Sequence, residues 1–188
     1  MTAPAAQAGS LAVDTPCPPI GGLTQPFTPW ADSAFYALSP AGNFEGKLPN
    51  WTLSGGAKAI TGNETFNVGA KSDTHSLKLP AGSSATSAPI CVGVDYPSAR
   101  FFLRNTGDPA ATLKVEVLGA GALGDVREKY PSSLTATSAW SPSPVIWLVD
   151  NLMALTSGTG TTPVAFRFTP QGGTWQIDDV YVDPYRRG

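Results

Sequence analysis

Hydrophobic and polar residues alternate over short stretches along much of the chain, which is the pattern of half-buried β-strands. In the clearest stretch, Leu113, Val115 and Val117 are predicted to face the interior. Lys114 and Glu116 lie between them and are predicted to face outward. A helix would require apolar residues three or four positions apart, so this stretch is predicted to be a strand.

Three further stretches extend this pattern. Residues 100–104 are apolar on both faces between two flanking arginines and are predicted to cross the core. Residues 145–149 are predicted to form a buried strand. Residues 174–183 form a long closing strand rich in β-branched and aromatic side chains. Its alternation breaks at Asp178 and Asp179, which are neighbours and are therefore predicted to point to opposite faces.

Turn signals separate these strands at short intervals. The pair Gly55-Gly56 predicts a two-residue hairpin between strands at residues 51–54 and 57–60. The chain contains 20 Gly and 18 Pro, and only 14% of its residues are charged. About ten short strands with no clear helix predict an all-β, two-sheet antiparallel sandwich, which we place at residues 35–188.

The first 34 residues have a different character and are predicted to form an extended arm. Residues 1–30 contain six prolines and a single charged residue, Asp14, and proline prevents a regular helix there. Phe27 and Trp30 are its apolar anchors. The arm is either disordered or laid along the sandwich, and the sequence leaves both possibilities open.

The two cysteines, Cys17 and Cys91, are far apart, and neither lies close to the lone His75. Because no zinc-binding spacing is present, two alternatives remain: a disulfide in an oxidising compartment, or two buried thiols. The low-charge composition is typical of a secreted or cell-surface protein, and the Lys-poor, Ala- and Thr-rich style suggests a bacterial source. We therefore predict a Cys17–Cys91 disulfide.

Charge and hydropathy exclude several classes of function. The net charge is −2 and the largest basic cluster is Arg186-Arg187, which argues against nucleic-acid binding. No apolar run approaches the ~18 residues of a membrane span. His75 is adjacent in sequence to Ser76, a spacing that disfavours a catalytic triad, and no nucleophile-elbow motif is present. We expect a protein that is not an enzyme.

Two motifs resemble a known superfamily. The segment Gly42-Asn43-Phe44-Glu45-Gly46, followed by Trp51, and the closing W-x-IDDVYVD strand resemble the jelly-roll domains of the carbohydrate-binding-module and galactose-binding-like superfamily. The resemblance covers residues 41–184. It implies a jelly-roll topology for the sandwich and a glycan as the ligand.

The resemblance also implies a structural calcium ion between the N-terminal and C-terminal strands. Glu45 matches the acid of the first motif, Asp178 matches the first acid of the closing strand, and Asp179 is the second choice there. Calcium prefers carboxylate and carbonyl oxygens. The alternative is that Asp178 accepts backbone hydrogen bonds without any metal, and the sequence does not decide between the two.

Aromatic residues suggest where a sugar would bind, because planar rings stack on the apolar faces of pyranoses. Trp51, Trp147 and Trp175 lie on predicted strands and are expected in the core. The residues in loops or at strand ends are the better candidates for ligand binding: Trp140, Tyr96, Tyr130 and Trp30.

Two functions are consistent with the sequence. The first is a secreted, non-catalytic β-sandwich that binds a glycan or cell-wall polymer. The second is a structural subunit of an extracellular filament or surface assembly, in which residues 1–30 would add a strand to a neighbouring subunit.

Overall fold

The structure is a computed structural model that describes residues 21–93, 98–120, 126–148 and 160–183; residues 120 and 126–132 are described by their backbone alone. Within these ranges the chain forms fourteen strands and one 3₁₀ turn, Thr28–Trp30. No helix in the described part is long and apolar enough to cross a membrane.

The strands form two antiparallel sheets, so the predicted jelly-roll sandwich is confirmed. The first sheet has eight strands: β1 (Leu23–Thr24), β2 (Tyr36–Leu38), β4 (Lys58–Thr61), β5 (His75–Leu79), β8 (Ser98–Asn105), β11 (Ser141–Pro142), β12 (Ile146–Trp147) and β14 (Trp175–Asp183). The second sheet has six: β3 (Thr52–Ser54), β6 (Ser84–Thr86), β7 (Ile90–Val92), β9 (Thr112–Ala120), β10 (Val126–Leu134) and β13 (Thr162–Gln171).

The main core lies between the two sheets. As predicted, the side chains of Leu113, Val115 and Val117 on β9 are buried in it. Phe166 and Phe168 on the neighbouring strand β13 lie in the same core. Each of these side chains contributes about 1.5–3 kcal/mol by leaving water, so alternation on β9 and β13 fixes which face of the second sheet points inward.

β14 is the central strand of the first sheet, with β8 along one side and β5 and β2 along the other. Its pairing with β8 shifts register between Asp178 and Tyr181, which is a β-bulge. The prediction that Asp178 and Asp179 point to opposite faces is therefore wrong, since the extra residue resets the alternation. The bulge places Val180 in the same core as Ile177.

The Gly55-Gly56 turn does not make the predicted hairpin. β3 pairs with β6 in the second sheet, whereas β4 pairs with β5 in the first. Both glycines have positive φ, 60° and 87°, and the hydrogen bond from Ala57 N to Ser54 O closes the turn. The turn carries the chain from one sheet to the other, because Leu53 pairs with Ala85 rather than across the glycines.

The described part of the predicted arm is laid along the sandwich. β1 pairs with β2, and Phe27 packs on Phe102 with its ring centroid 5.3 Å away. The Asp32 carboxylate accepts a 2.6 Å hydrogen bond from Arg100 Nη1, which anchors the segment to β8. The segment covers the outer face of the first sheet and builds a second apolar cluster there.

The remainder of the arm lies outside the described residues. Self-assembly through residues 1–30 therefore stays a prediction, and so does the Cys17–Cys91 disulfide. Cys91 itself is buried on β7 and is not a free thiol.

Candidate functional site

Glu45 is the acid of the first motif, and it reaches the start of β5. Its Oε1 accepts hydrogen bonds from the backbone N–H groups of Thr74 and His75, both at 2.6 Å. Its Oε2 pairs with His75 Nδ1 at 2.9 Å. Burial raises the pKa of Glu45, but the hydrogen bonds from His75 and the two backbone N–H groups outweigh burial and hold the pKa below its ordinary value. Glu45 thus secures the loop before β5.

Asp178 accepts backbone hydrogen bonds with both carboxylate oxygens. Oδ2 receives the N–H of Glu64 and Oδ1 receives the N–H of Asp179, each at 2.9 Å. Burial, followed by the charge of Asp179, raises the pKa of Asp178 to about 9 against these hydrogen bonds. The arrangement is that of a structural acceptor, which is the alternative that the sequence left open.

Asp179 is different, because both of its carboxylate oxygens are buried and neither has a hydrogen-bond partner among the described residues. The residue sits in the bulge with φ at 48°, a left-handed conformation that Asp tolerates better than most residues. Burial and then the charges of Glu64, Asp73 and Glu45 raise its pKa to about 7. A buried carboxylate without a donor is costly, so Asp179 is the strongest metal-ligand candidate of the three.

Glu64 belongs to the same site, although the sequence did not single it out. It is buried, and its carboxylate accepts the N–H groups of Phe66 and Val68, the latter at 2.8 Å. An acidic residue followed by a turn, two positions after Gly62, was the available signal. Glu64 shapes the loop between β4 and β5 so that this loop closes over β14.

Gly69 on that loop lies directly beside the acids. A Cβ atom at Gly69 would lie 2.8 Å from Asp73 Oδ2 and 3.3 Å and 3.4 Å from the two oxygens of Asp179. The absent side chain leaves a small space bordered by oxygens of two carboxylates. No group of three or more Asp, Glu, His or Cys side chains in the described residues has metal-binding spacing. A calcium ion here would therefore need backbone carbonyls, which it readily accepts.

Of the four predicted sugar-stacking residues, only Trp140 and Trp30 have described side chains, and both belong to the second apolar cluster. Trp140 is only 6% exposed, and the Arg104 guanidinium lies 4.8 Å from its ring centre, so it is packed rather than presented to a ligand. Trp30 is half-buried and makes edge contacts with Phe66 and Phe102. Burial of Trp140 follows from the N-terminal segment, which converts the outer face of the first sheet into a second core.

Tyr96 lies outside the described residues, and Tyr130 lies on β10 where only the backbone is described. Trp147 reverses the prediction made for it: it lies on β12 and is 65% exposed. Ile146 on the same strand is buried, so the two-residue strand turns Trp147 outward. The predicted buried strand at residues 145–149 is therefore wrong at Trp147.

The outer face of the second sheet holds a groove of about 400 Å³. Lys114 and Glu116 on β9 and Arg167 and Thr169 on β13 line it, since these residues alternate with the inward-facing apolar ones. Arg167 lies directly opposite Glu116 in the ladder, and Thr169 lies opposite Lys114. Ser83 and Ser84 border the groove at β6.

Charged side chains occupy the floor of this groove. Arg167 Nε donates to Glu116 Oε2 at 2.8 Å, and Lys114 Nζ pairs with Glu116 Oε1. Burial raises the pKa of Glu116, but the hydrogen bonds and charges of Arg167 and Lys114 outweigh burial and lower it. Glu116 therefore stays ionised. The groove offers fixed donors and hydroxyl groups, which suits a polyhydroxylated ligand.

No protein-family model and no curated protein matches the sequence, but solved structures match the fold. The CBM22-1–GH10 modules of Clostridium thermocellum Xyn10B, complexed with xylohexaose, share 13% identity at a TM-score of 0.52, over 78% of this chain and 28% of that one. The CBM22-1 xylan-binding domain of Paenibacillus barcinonensis Xyn10C shares 14% identity at 0.49, over 77% and 91%. TmCBM61, in complex with β-1,4-galactotriose, shares 19% at 0.45, over 76% and 94%.

These identities establish the likeness of fold alone. The described strands form two antiparallel sheets, which is the fold that the motifs around Glu45 and Asp178 predicted. The chain has the jelly-roll fold of carbohydrate-binding modules.

Proposed function

We propose that this protein is a secreted, non-catalytic β-sandwich that binds a glycan along the outer face of its second sheet. The observation that carries the proposal is the groove between Ser84, Glu116 and Arg167 on that face. The opposite face, on the first sheet, is covered by Phe27 and Trp30. A volume of about 400 Å³ lies within the ~300–1,000 Å³ that small-molecule sites occupy.

The CBM22-1–GH10 modules, whose fold matches at a TM-score of 0.52, are complexed with xylohexaose, which supports a glycan as the ligand class. Glycoside hydrolysis requires two carboxyl groups facing the scissile bond. The described lining of the groove has one, Glu116, and it is engaged by Arg167 and Lys114. Binding without cleavage is therefore the activity that the groove supports.

We also propose a structural calcium ion at the acid site of β14. Asp179 would supply carboxylate oxygens, and Asp73 with backbone carbonyls of the loop around Gly69 would complete the shell. When bound, the ion would supply positive charge to a region that is strongly acidic. Three other acids would not coordinate the ion directly, because their carboxylate oxygens already accept hydrogen bonds from backbone N–H groups. These acids are Glu45, Glu64 and Asp178.

A panel of immobilised neutral and acidic polysaccharides tests the glycan proposal, run once with calcium and once with chelator. We expect binding to at least one polysaccharide. Thr169→Leu, which removes a hydroxyl and narrows the groove, should weaken that binding. The matched control is Thr61→Leu on β4, an exposed position in the other sheet. Absence of binding across the panel, or equal effects of the two variants, would count against the proposal.

A further inference from the structure

The charges on the groove floor are not equally accessible to a ligand. The side chains of Lys114 and Arg167 are 32% and 21% exposed, whereas the Glu116 side chain is 2% exposed. The carboxylate lies beneath the two cations and pairs with both of them. A ligand that enters the groove therefore meets an ammonium and a guanidinium group before it meets Glu116.

The groove also differs from a stacking site. None of its described lining residues is aromatic. A neutral sugar would depend on hydrogen bonds to hydroxyls such as Ser84 and Thr169, and such bonds contribute only about 0.5–1.5 kcal/mol each because water competes for them. Hydrogen bonds between a cation and a carboxylate are roughly twice as strong. The lining thus favours a ligand that carries anionic groups.

The register of the second sheet spaces the two cations. Arg167 is opposite Glu116, and Lys114 is two residues from Glu116 on the same strand, so the cations occupy diagonal positions on adjacent strands. Diagonal neighbours in an antiparallel sheet are about 7–8 Å apart. An extended chain that lies across β9 and β13 can therefore contact both cations.

We infer that the ligand of this groove is an acidic polysaccharide, whose carboxylates are bound by Lys114 and Arg167 while its hydroxyls contact Ser84 and Thr169. This inference rests on the proposed glycan-binding function and specifies its substrate class. Glu116 does not contact the ligand in this arrangement; its buried carboxylate pairs with both cations and offsets part of their positive charge.

The test compares polygalacturonate with neutral β-1,4-galactan of matched chain length by titration calorimetry. We expect the protein to bind polygalacturonate more tightly, with an affinity that falls as the salt concentration rises. Lys114→Gln should weaken polygalacturonate binding by about tenfold, which corresponds to one charge-assisted hydrogen bond. Lys58→Gln on β4 removes the same charge from an exposed position in the first sheet and should leave the affinity unchanged.

Glu116→Gln should change the affinity for polygalacturonate in the opposite direction from Lys114→Gln. A thermal melt checks that the variant folds. If the cations bind the ligand, removing the buried negative charge strengthens polygalacturonate binding. If Glu116 itself accepts sugar hydroxyls, the same change weakens binding, and our inference is overturned. Tighter binding to galactan than to polygalacturonate, with no effect of Lys114→Gln, would also overturn it while leaving the glycan proposal intact. Binding to neither polymer, nor to any other in the panel, would remove the proposed function itself.

Discussion

Replacing Asp179 by Asn should change stability in opposite directions with and without calcium. In chelator, Asp179→Asn removes a buried negative charge that faces Glu64, Asp73 and Glu45, so the variant should be more stable than the wild type. In calcium, the same change removes carboxylate oxygens from the proposed ion site. The variant should then lose the stabilisation that the ion provides.

The structure sets the size of the first effect, and the calcium concentration sets the size of the second. The pKa of Asp179 rises from its ordinary value of 3.8 to about 7, and at about 1.36 kcal/mol per pKa unit the ionised group costs about 4 kcal/mol. The buried amide of Asn retains about 1–3 kcal/mol of that cost, because it too lacks a partner. A net gain of about 1–3 kcal/mol remains. Calcium at 100 times its Kd stabilises the wild type by about 2.7 kcal/mol.

Thermal melts at pH 8 measure both terms, since about 1 kcal/mol shifts the Tm of a chain of this size by about 2–4 °C. The control is Asp108→Asn, an exposed aspartate whose replacement can still accept the N–H of Ala110. The melting temperature of Asp108→Asn should respond to calcium as the wild-type melting temperature does. If Asp179→Asn destabilises equally in calcium and in chelator, Asp179 is a structural group and the calcium proposal is wrong.

Four further predictions test neighbouring parts of the account. In chelator, wild-type stability should fall as the pH rises from about 4 to about 7, because the raised pKa of Asp179 favours the protonated folded state at low pH; urea titrations at several pH values measure this, and a rise would contradict the assignment. Gly69→Ala should weaken calcium-dependent stabilisation, since its Cβ would lie 2.8 Å from Asp73 Oδ2; an unchanged calcium response of the melt would disprove the role of that space. Arg100→Met should destabilise by about 3 kcal/mol in chemical denaturation because it leaves Asp32 without its cation, and a loss below 1 kcal/mol would show that the N-terminal segment is held by packing alone. Trp140→Ala should destabilise by about 3–5 kcal/mol as a core truncation; a folded, stable variant that has lost glycan binding would restore its predicted ligand role.

The fold could be predicted from the sequence because its strongest signals are local. Alternation at Leu113, Val115 and Val117 identifies both a strand and its buried face. Turn residues mark the ends of strands, but they do not say which strands pair. Gly55-Gly56 shows this limit: the turn is where it was predicted, yet pairing of β3 with β6 is decided by residues about 30 positions away.

The site was predicted less completely for a physical reason. The motifs identified the acids Glu45 and Asp178, both of which accept backbone hydrogen bonds. That Asp179 is left without a partner depends on the bulge in β14, which the sequence did not predict. Whether a tryptophan is exposed depends equally on distant chain. The N-terminal segment covers Trp140, which is 6% exposed, whereas the described residues leave Trp147 65% exposed.

The most direct test of the central claim is an NMR titration of the isotopically labelled protein with oligosaccharides from whichever polysaccharide binds. Our account predicts that the chemical shifts of backbone amides change on β9, β13 and β6, with the largest changes near Glu116 and Arg167. The chemical shifts of amides on β4 and β5 should stay unchanged. Shift changes confined to the first sheet, or centred on Trp147, would contradict the claim that the second sheet's outer face is the glycan-binding surface.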